Sequence, residues 1–312
     1  MSDPSRVSET SGAQPVPASA YVALMGTTLA FGLSFVGTKY ALRGFEPLLL
    51  AMLRFAFAGA ILWVAWRLFG TREHATRAEL ARVALLGLVS LTVYFALENM
   101  GIARTSASQA AILMAAVPIF VIVLNHFTLR EHNSGRQWAG VAISFAGIVA
   151  LVWFGGGTGG GSLTGDVLLL AACVAAAAYA LMARRLLVSR SALFVTAFQN
   201  IFGALFMLPL ALLQAALVGV RTPTWSTIGA LAYLTFFCSV GGYLLLNYAL
   251  QHVEASKASV FLNLIPIVGV AGAYVLLGER FTWPQVVASA VVVLGVWLTN
   301  SGRPRPAAPP TA

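Results

Sequence analysis

Apolar runs of roughly 20 residues recur along the chain, separated by short polar stretches. Ten of them lie near 20–41, 47–69, 80–101, 106–128, 136–154, 166–187, 192–216, 226–248, 255–277 and 283–301. Each is long enough to cross about 30 Å of hydrocarbon as a helix, so the pattern predicts ten membrane spans and an all-α integral membrane fold. The flanking segments 1–19 and 302–312 are rich in Pro, Ser, Ala and Thr and read as disordered tails. Neither carries the cationic patch, apolar core and cleavage site of a signal peptide.

Composition agrees with this reading. Of 312 residues, 59% are apolar and 9% charged, and the mean hydropathy is +0.85; soluble domains run near 45–50% apolar and about 25% charged. The same values exclude a disordered chain, a coiled coil and a secreted disulfide scaffold. The net charge of +9 does not point to nucleic acid, because the cations are scattered singly or in small groups between the apolar runs. With the N-terminus in the cytoplasm, thirteen of the 19 cations fall on the inner side and five on the outer, with Arg54 inside a span. The positive-inside rule therefore puts both termini in the cytoplasm. Cys173 and Cys238 stand alone within apolar runs and read as small core residues. His74, His126, His132 and His252 lack metal-ligand spacing, and there is no nucleophile elbow or paired intramembrane carboxylate. The chain therefore reads as a non-enzyme with no metal and no cofactor.

The chain also repeats itself. At an ungapped offset of 148, Asn99, Ala107, Ser108, Ala110, Pro118, Ile119, Leu129 and Glu131 coincide with Asn247, Ala255, Ser256, Ala258, Pro266, Ile267, Leu277 and Glu279. Gln137/Gln285 and Gly147/Gly295 continue the register. Each half, 20–154 and 166–301, therefore holds five spans. Five is odd, so the second half is inserted upside down relative to the first, a plan common among secondary transporters. Between them, 155–165 contains the run GGGTGGG. No strand precedes its glycines and no Lys-Ser/Thr follows, so it reads as a flexible linker and not as a nucleotide loop.

FGLSFVGTKYAL at 31–42, LRF at 53–55, LENMGIARTSASQAAILMAAVPIF at 97–120 and LLGE at 276–279 resemble the EamA-type transporters of the drug/metabolite transporter superfamily. The resemblance covers roughly residues 21–301. It implies ten helices in two inverted repeats and the export of amino acids or other small metabolites. It also implies a central cavity lined by the first, third, sixth and eighth spans, which selects Phe31, Tyr94, Tyr179 and Tyr243 as wall residues. Phe31 stands where many relatives place Trp.

Several residues carry candidate chemistry on their own account. Pro118 and Pro266 lie about twelve residues into their spans, or ~18 Å at 1.5 Å per residue. They predict paired kinks near the midplane, where Met114 and Leu262 would lose a backbone partner. Arg54 and Glu98 sit at similar depth, and a charge there needs a partner or a wet cavity. They are candidates for an ion pair, with either a structural role or a role in transport through proton or cation binding at Glu98. Asn99 and Asn247 are related by the repeat and offer donor and acceptor to a solute, or glue between helices. Asn263 lies beside the second kink.

These readings converge on a secondary active carrier in a bacterial inner membrane, exporting an amino acid or related metabolite by alternating access. Its expected partners are the solute, the bilayer and coupled protons, and a monomer is compatible with this plan. Import on the same fold, or a non-transporting sensor or scaffold, are the alternatives.

Overall fold

The structure, a computed structural model, describes residues 17–70, 75–129, 133–158, 162–186, 191–253 and 255–300. The tails expected at 1–19 and 302–312 lie outside them, except that Ala18 already opens the first helix. The described chain is helical throughout and has ten helices long and apolar enough to span a membrane.

In the first half these are α1 (Ala18–Ala41), α2 (Pro47–Phe69), a third span, a fourth span and α7 (Gly135–Thr158). The third span consists of α3 (Arg77–Gly87), the π-helical segment π1 (Leu88–Val93) and α4 (Tyr94–Arg104). The fourth is broken into α5 (Ala107–Met114) and α6 (Val117–Leu129). The second half repeats the series. α8 (Leu163–Leu186) and α9 (Ala192–Val218) are followed by α10 (Trp225–Tyr233), π2 (Leu234–Gly242) and α11 (Tyr243–His252). Then come α12 (Ala255–Leu262), α13 (Ile265–Leu277) and α14 (Trp283–Asn300). α7 continues through Gly155–Thr158, into the stretch the sequence reads as a linker.

The offset of 148 that aligns the sequence also aligns the irregularities. It maps both bounds of α5 onto α12 and of α6 onto α13, and it lays π1 within π2. Even the helix starts correspond. Thr76 and Glu79 form a reciprocal capping box at the head of α3, and Thr224 and Thr227 form one at the head of α10. Both breaks follow from proline, which has no N–H to donate and clashes with the carbonyl four residues back. Around the first, Ala115 and Ala116 donate to Ile112 and Leu113, three residues behind, at 3.1 and 3.0 Å. At the second, Leu264 donates to Phe261 at 3.0 Å. These tightened turns satisfy backbone groups that lipid could not.

The halves embrace about a pseudo-twofold axis. α2 packs on its mate α9 and α7 on its mate α14, while α4 on α8 is mirrored by α11 on α1. The α7–α14 seam is built from small residues. A Cβ on Gly140 would lie 2.7 Å from Thr299 N, and one on Gly147 would lie 2.7 Å from Val292 N. Ser144 Oγ donates across the seam to Val292 O at 3.1 Å. Apolar helices gain little from leaving lipid for one another, so such close backbone approach and direct bonding hold them together. Gly140→Leu is expected to force the pair apart at a cost of at least about 3 kcal/mol. Size-exclusion chromatography in detergent would then show loss of the monodisperse peak; an unchanged profile would refute the seam's importance.

Candidate functional site

The two proline breaks border one cavity of about 650 Å³. Pro118 and Pro266 both line it, with Val117, Leu262, Asn263 and Ile265 around the breaks. Its closure is uneven. On the face opposite the chain termini, α5 packs tightly on α13; a Cβ on Gly269 would lie only 2.7 Å from that of Ala111. Among the described residues the equivalent pair on the termini face, α6 and α12, has no comparable contact.

The walls are mainly aromatic. Phe31 of α1 tilts against Tyr243 of α11 with ring centres 5.4 Å apart, and both line the cavity with Phe35, Tyr94, Phe95 and Tyr179. Gly242 makes room for the first pair: a Cβ there would sit 2.6 Å from the Phe31 ring. The π segments flank the site, as such segments often do. π1 supplies Ser90 and leads into Tyr94, while π2 supplies Ser239 and leads into Tyr243. π2 is fixed to α1 through Ala30 O, which accepts from Tyr233 OH and Cys238 Sγ at 3.2 Å each.

Two charged side chains line the same cavity. Arg54 is 5% exposed and Glu98 6%, so both are nearly stripped of bulk water. Arg54 Nε donates to Ser239 Oγ at 2.7 Å, and its guanidinium lies 5.0 Å from the Phe95 ring and 5.5 Å from that of Phe55. Glu98 Oε1 accepts from Tyr94 OH at 2.9 Å, one helical turn back on α4. Among the described residues no salt bridge joins the two charges. Each is hydrogen-bonded to a neutral hydroxyl, which orients it.

Of the residues singled out from sequence, Phe31, Arg54, Tyr94, Glu98, Tyr179, Tyr243, Asn263, Pro118 and Pro266 all line the cavity. Asn99 and Asn247 do not. Asn99 is 2% exposed, and its Nδ2 donates to Pro47 O at 3.0 Å, tying α4 to the head of α2. Asn247, half-buried, is outside the lining. The helix face explains this: Tyr94 and Glu98 share one face by i,i+4 spacing, whereas Asn99 is a further 100° round. Ser239, Ser90 and Trp297 were not foreseen. Serines inside apolar helices carry no pattern of their own, and only π2 brings Ser239 to Arg54.

The EamA-like transporter family matches residues 18–153 and again 163–301. A transporter of Archaeoglobus fulgidus is 30% identical over 278 residues, covering 89% of this chain and 97% of that one. A probable terminal-alkyne amino-acid exporter of Streptantibioticus cattleyicolor is 28% identical over 291 residues, covering 92% and 96%. A probable amino-acid metabolite efflux pump of Escherichia coli is 28% identical over 297 residues, covering 88% and 92%. A crystal structure shares the fold with a TM-score of 0.61 at 18% identity, covering 90% of this chain and 96% of that one.

The position of Asn99 separates packing from solute contact. Asn99→Ala is expected to lower stability by about 1 kcal/mol, the scale of an interhelical hydrogen bond in a membrane, while leaving solute affinity unchanged. Thermal denaturation and equilibrium binding on the same preparation would check this; lost affinity without lost stability would return Asn99 to the site.

Proposed function

The chain belongs to the EamA-like transporter family, and we propose that it is a secondary carrier exporting a zwitterionic, amino-acid-like metabolite across a bacterial inner membrane, with both termini cytoplasmic. The observation that carries the proposal is the pair Arg54 and Glu98: opposite charges, buried in one aromatic cavity and each hydrogen-bonded to a hydroxyl with no salt bridge between them. Unpaired charges at such depth are costly. A solute whose carboxylate meets Arg54 and whose ammonium meets Glu98 relieves both at once. The surrounding rings of Phe31, Tyr94, Tyr179 and Tyr243 suit an apolar or aromatic remainder. Two of the relatives named above are described as exporters or efflux pumps for amino acids or their metabolites, which favours outward transport of this chemical class.

The same carboxylate supplies a coupling device. Glu98 binds either a proton or the ammonium of the solute, so the two compete for one site. A carrier that moves when occupied by one or the other exchanges inward protons for outward solute. A cavity open to the termini side is the state in which the cytoplasmic solute is loaded, and its counterpart with α5 and α13 parted is the state of release.

Two outcomes test this. Arg54→Gln, read by binding of a radiolabelled aromatic amino acid and of the matching amine lacking the carboxylate, is expected to weaken the amino acid about a hundredfold, or roughly 2.7 kcal/mol. The amine, which has no carboxylate to lose, should be little affected, and equal losses for both would sink the zwitterion reading. In the intact carrier, solute affinity should fall as pH drops, because protons displace the ammonium from Glu98. Glu98→Gln should bind more weakly and at a level independent of pH. A persisting pH dependence in that variant would remove Glu98 from the coupling.

A further inference from the structure

The hairpin between α4 and α5, on the face opposite the termini, is gripped by charge from two directions. Lys39, in the last turn of α1, donates its Nζ to Ile102 O at 2.8 Å and to Thr105 O at 2.5 Å, carbonyls at the end of α4. The opening amides of α5 are taken by a carboxylate: Ala107 N donates to Glu279 Oε1 and Ser108 N to Glu279 Oε2, both at 2.9 Å. Ser108 Oγ donates to the same Oε2 at 2.7 Å. A cation thus meets a helix C-terminus and an anion a helix N-terminus, each where the backbone dipole favours it.

The two grips differ in what they join. Lys39 and the hairpin belong to the same half, whereas Glu279 comes from the other half, just beyond α13. Gly278 places it there. Its φ of 69° is a left-handed turn that ends α13 and swings the following residue toward α5. The bond therefore spans the contact of α5 on α13, whose pseudo-symmetric equivalent, α6 on α12, has no counterpart of that extent among the described residues. The main contacts α2–α9, α7–α14 and α4–α8 keep their symmetry mates. Other contacts also lack their mates among the described residues, α2–α4 and α1–α5 among them, but α5–α13 is the most extensive of these and the one that closes the broken spans over the cavity. Glu279 also borders a second recess of about 590 Å³, shared with Lys39, Arg43, Glu46 and Arg104. This recess lets water reach the carboxylate when it releases the amides, so letting go does not strand a charge in lipid. In sequence, Ala107, Ser108 and Glu279 recur at the offset of 148 as Ala255, Ser256 and Glu131.

We propose that Glu279 is the latch of the gate opposite the termini: its carboxylate, closed on the amides of Ala107 and Ser108, holds α5 against α13 while the cavity is open to the termini side. Release of those amides is the step that admits the far face to the cavity. The inference rests on the alternating-access reading above.

The experiment is a distance measurement on the full-length protein in lipid nanodiscs, without solute. Cys173→Ala and Cys238→Ala clear the background, and spin labels on Ala103→Cys and Leu276→Cys report the separation of the hairpin from α13; both positions are exposed. The parent should give mainly one short distance. Glu279→Gln, which lacks the charge and one acceptor oxygen, should raise the ratio of long to short distances by about tenfold. Ser108→Ala, which removes only the hydroxyl bond, should shift it less but in the same direction. A lower melting temperature with unchanged distances would make Glu279 a plain helix cap and overturn the latch. If Glu279→Gln does not fold, Ser108→Ala alone decides: a shift supports the latch and no shift overturns it. Because no solute is used, a failed latch leaves the transport reading standing, and a failed solute assay does not touch the latch.

Discussion

Lipid offers no hydrogen bonds, so every backbone amide and carbonyl inside the membrane must find its partner within the protein. This constraint governs where the chain can depart from a continuous helix. The departures among the described spans are concentrated in the third, fourth, eighth and ninth: π1, π2 and the two proline breaks. Pro118 and Pro266 line the central cavity, and the π segments adjoin it. The constraint thus links two prolines that are visible in the sequence to a cavity that is not. Helices that stay continuous, such as α2, α7 and α14, and α9 in spite of Pro209, form the scaffold around the broken ones.

Low polarity also makes the buried charges informative. Arg54 and Glu98 are each oriented by a hydroxyl, from Ser239 and Tyr94, and Arg54 is further embedded between aromatic rings. Had the two side chains closed on each other, the cavity would hold a satisfied ion pair with little to offer a charged solute. In the proposed reading, a solute that carries both signs offsets the cost of burying them, and that cost becomes selectivity.

The inverted repeat explains why one chain can have two faces of access with a single site. Equivalent breaks put α5 beside α13 on one face and α6 and α12 on the other, and among the described residues the first pair is in extensive contact and the second is not. The Glu279 bond lies on the closed contact, at the end of the lever formed by α13. In the proposed alternating access, the close-packed seam of α7 and α14 and the pair α2–α9 would give the broken segments a frame to act against.

Much of this was legible in the chain itself. Ten spans, their pairing in two inverted halves and both kinks follow from apolar length, proline chemistry and an offset of 148, all properties that adjacent residues or a constant register express. The cavity side chains Phe31, Tyr94, Tyr179 and Tyr243 were reachable through family resemblance, and Glu98 because a charge inside an apolar span stands out. Three features lay beyond the sequence. Asn99 matched Asn247 in register yet faces Pro47, since symmetry of position does not determine which face of a helix meets the cavity. Arg54 and Glu98 matched in depth yet do not pair, because Ser239, held by a π-helical turn from the other half, captures the guanidinium. The role of Glu279 was hidden for the same reason: its partners are amides 171 and 172 residues away. A sequence records depth and periodicity along each helix; rotation of one helix against another, and hence which buried charge finds which partner, is decided only when the halves pack.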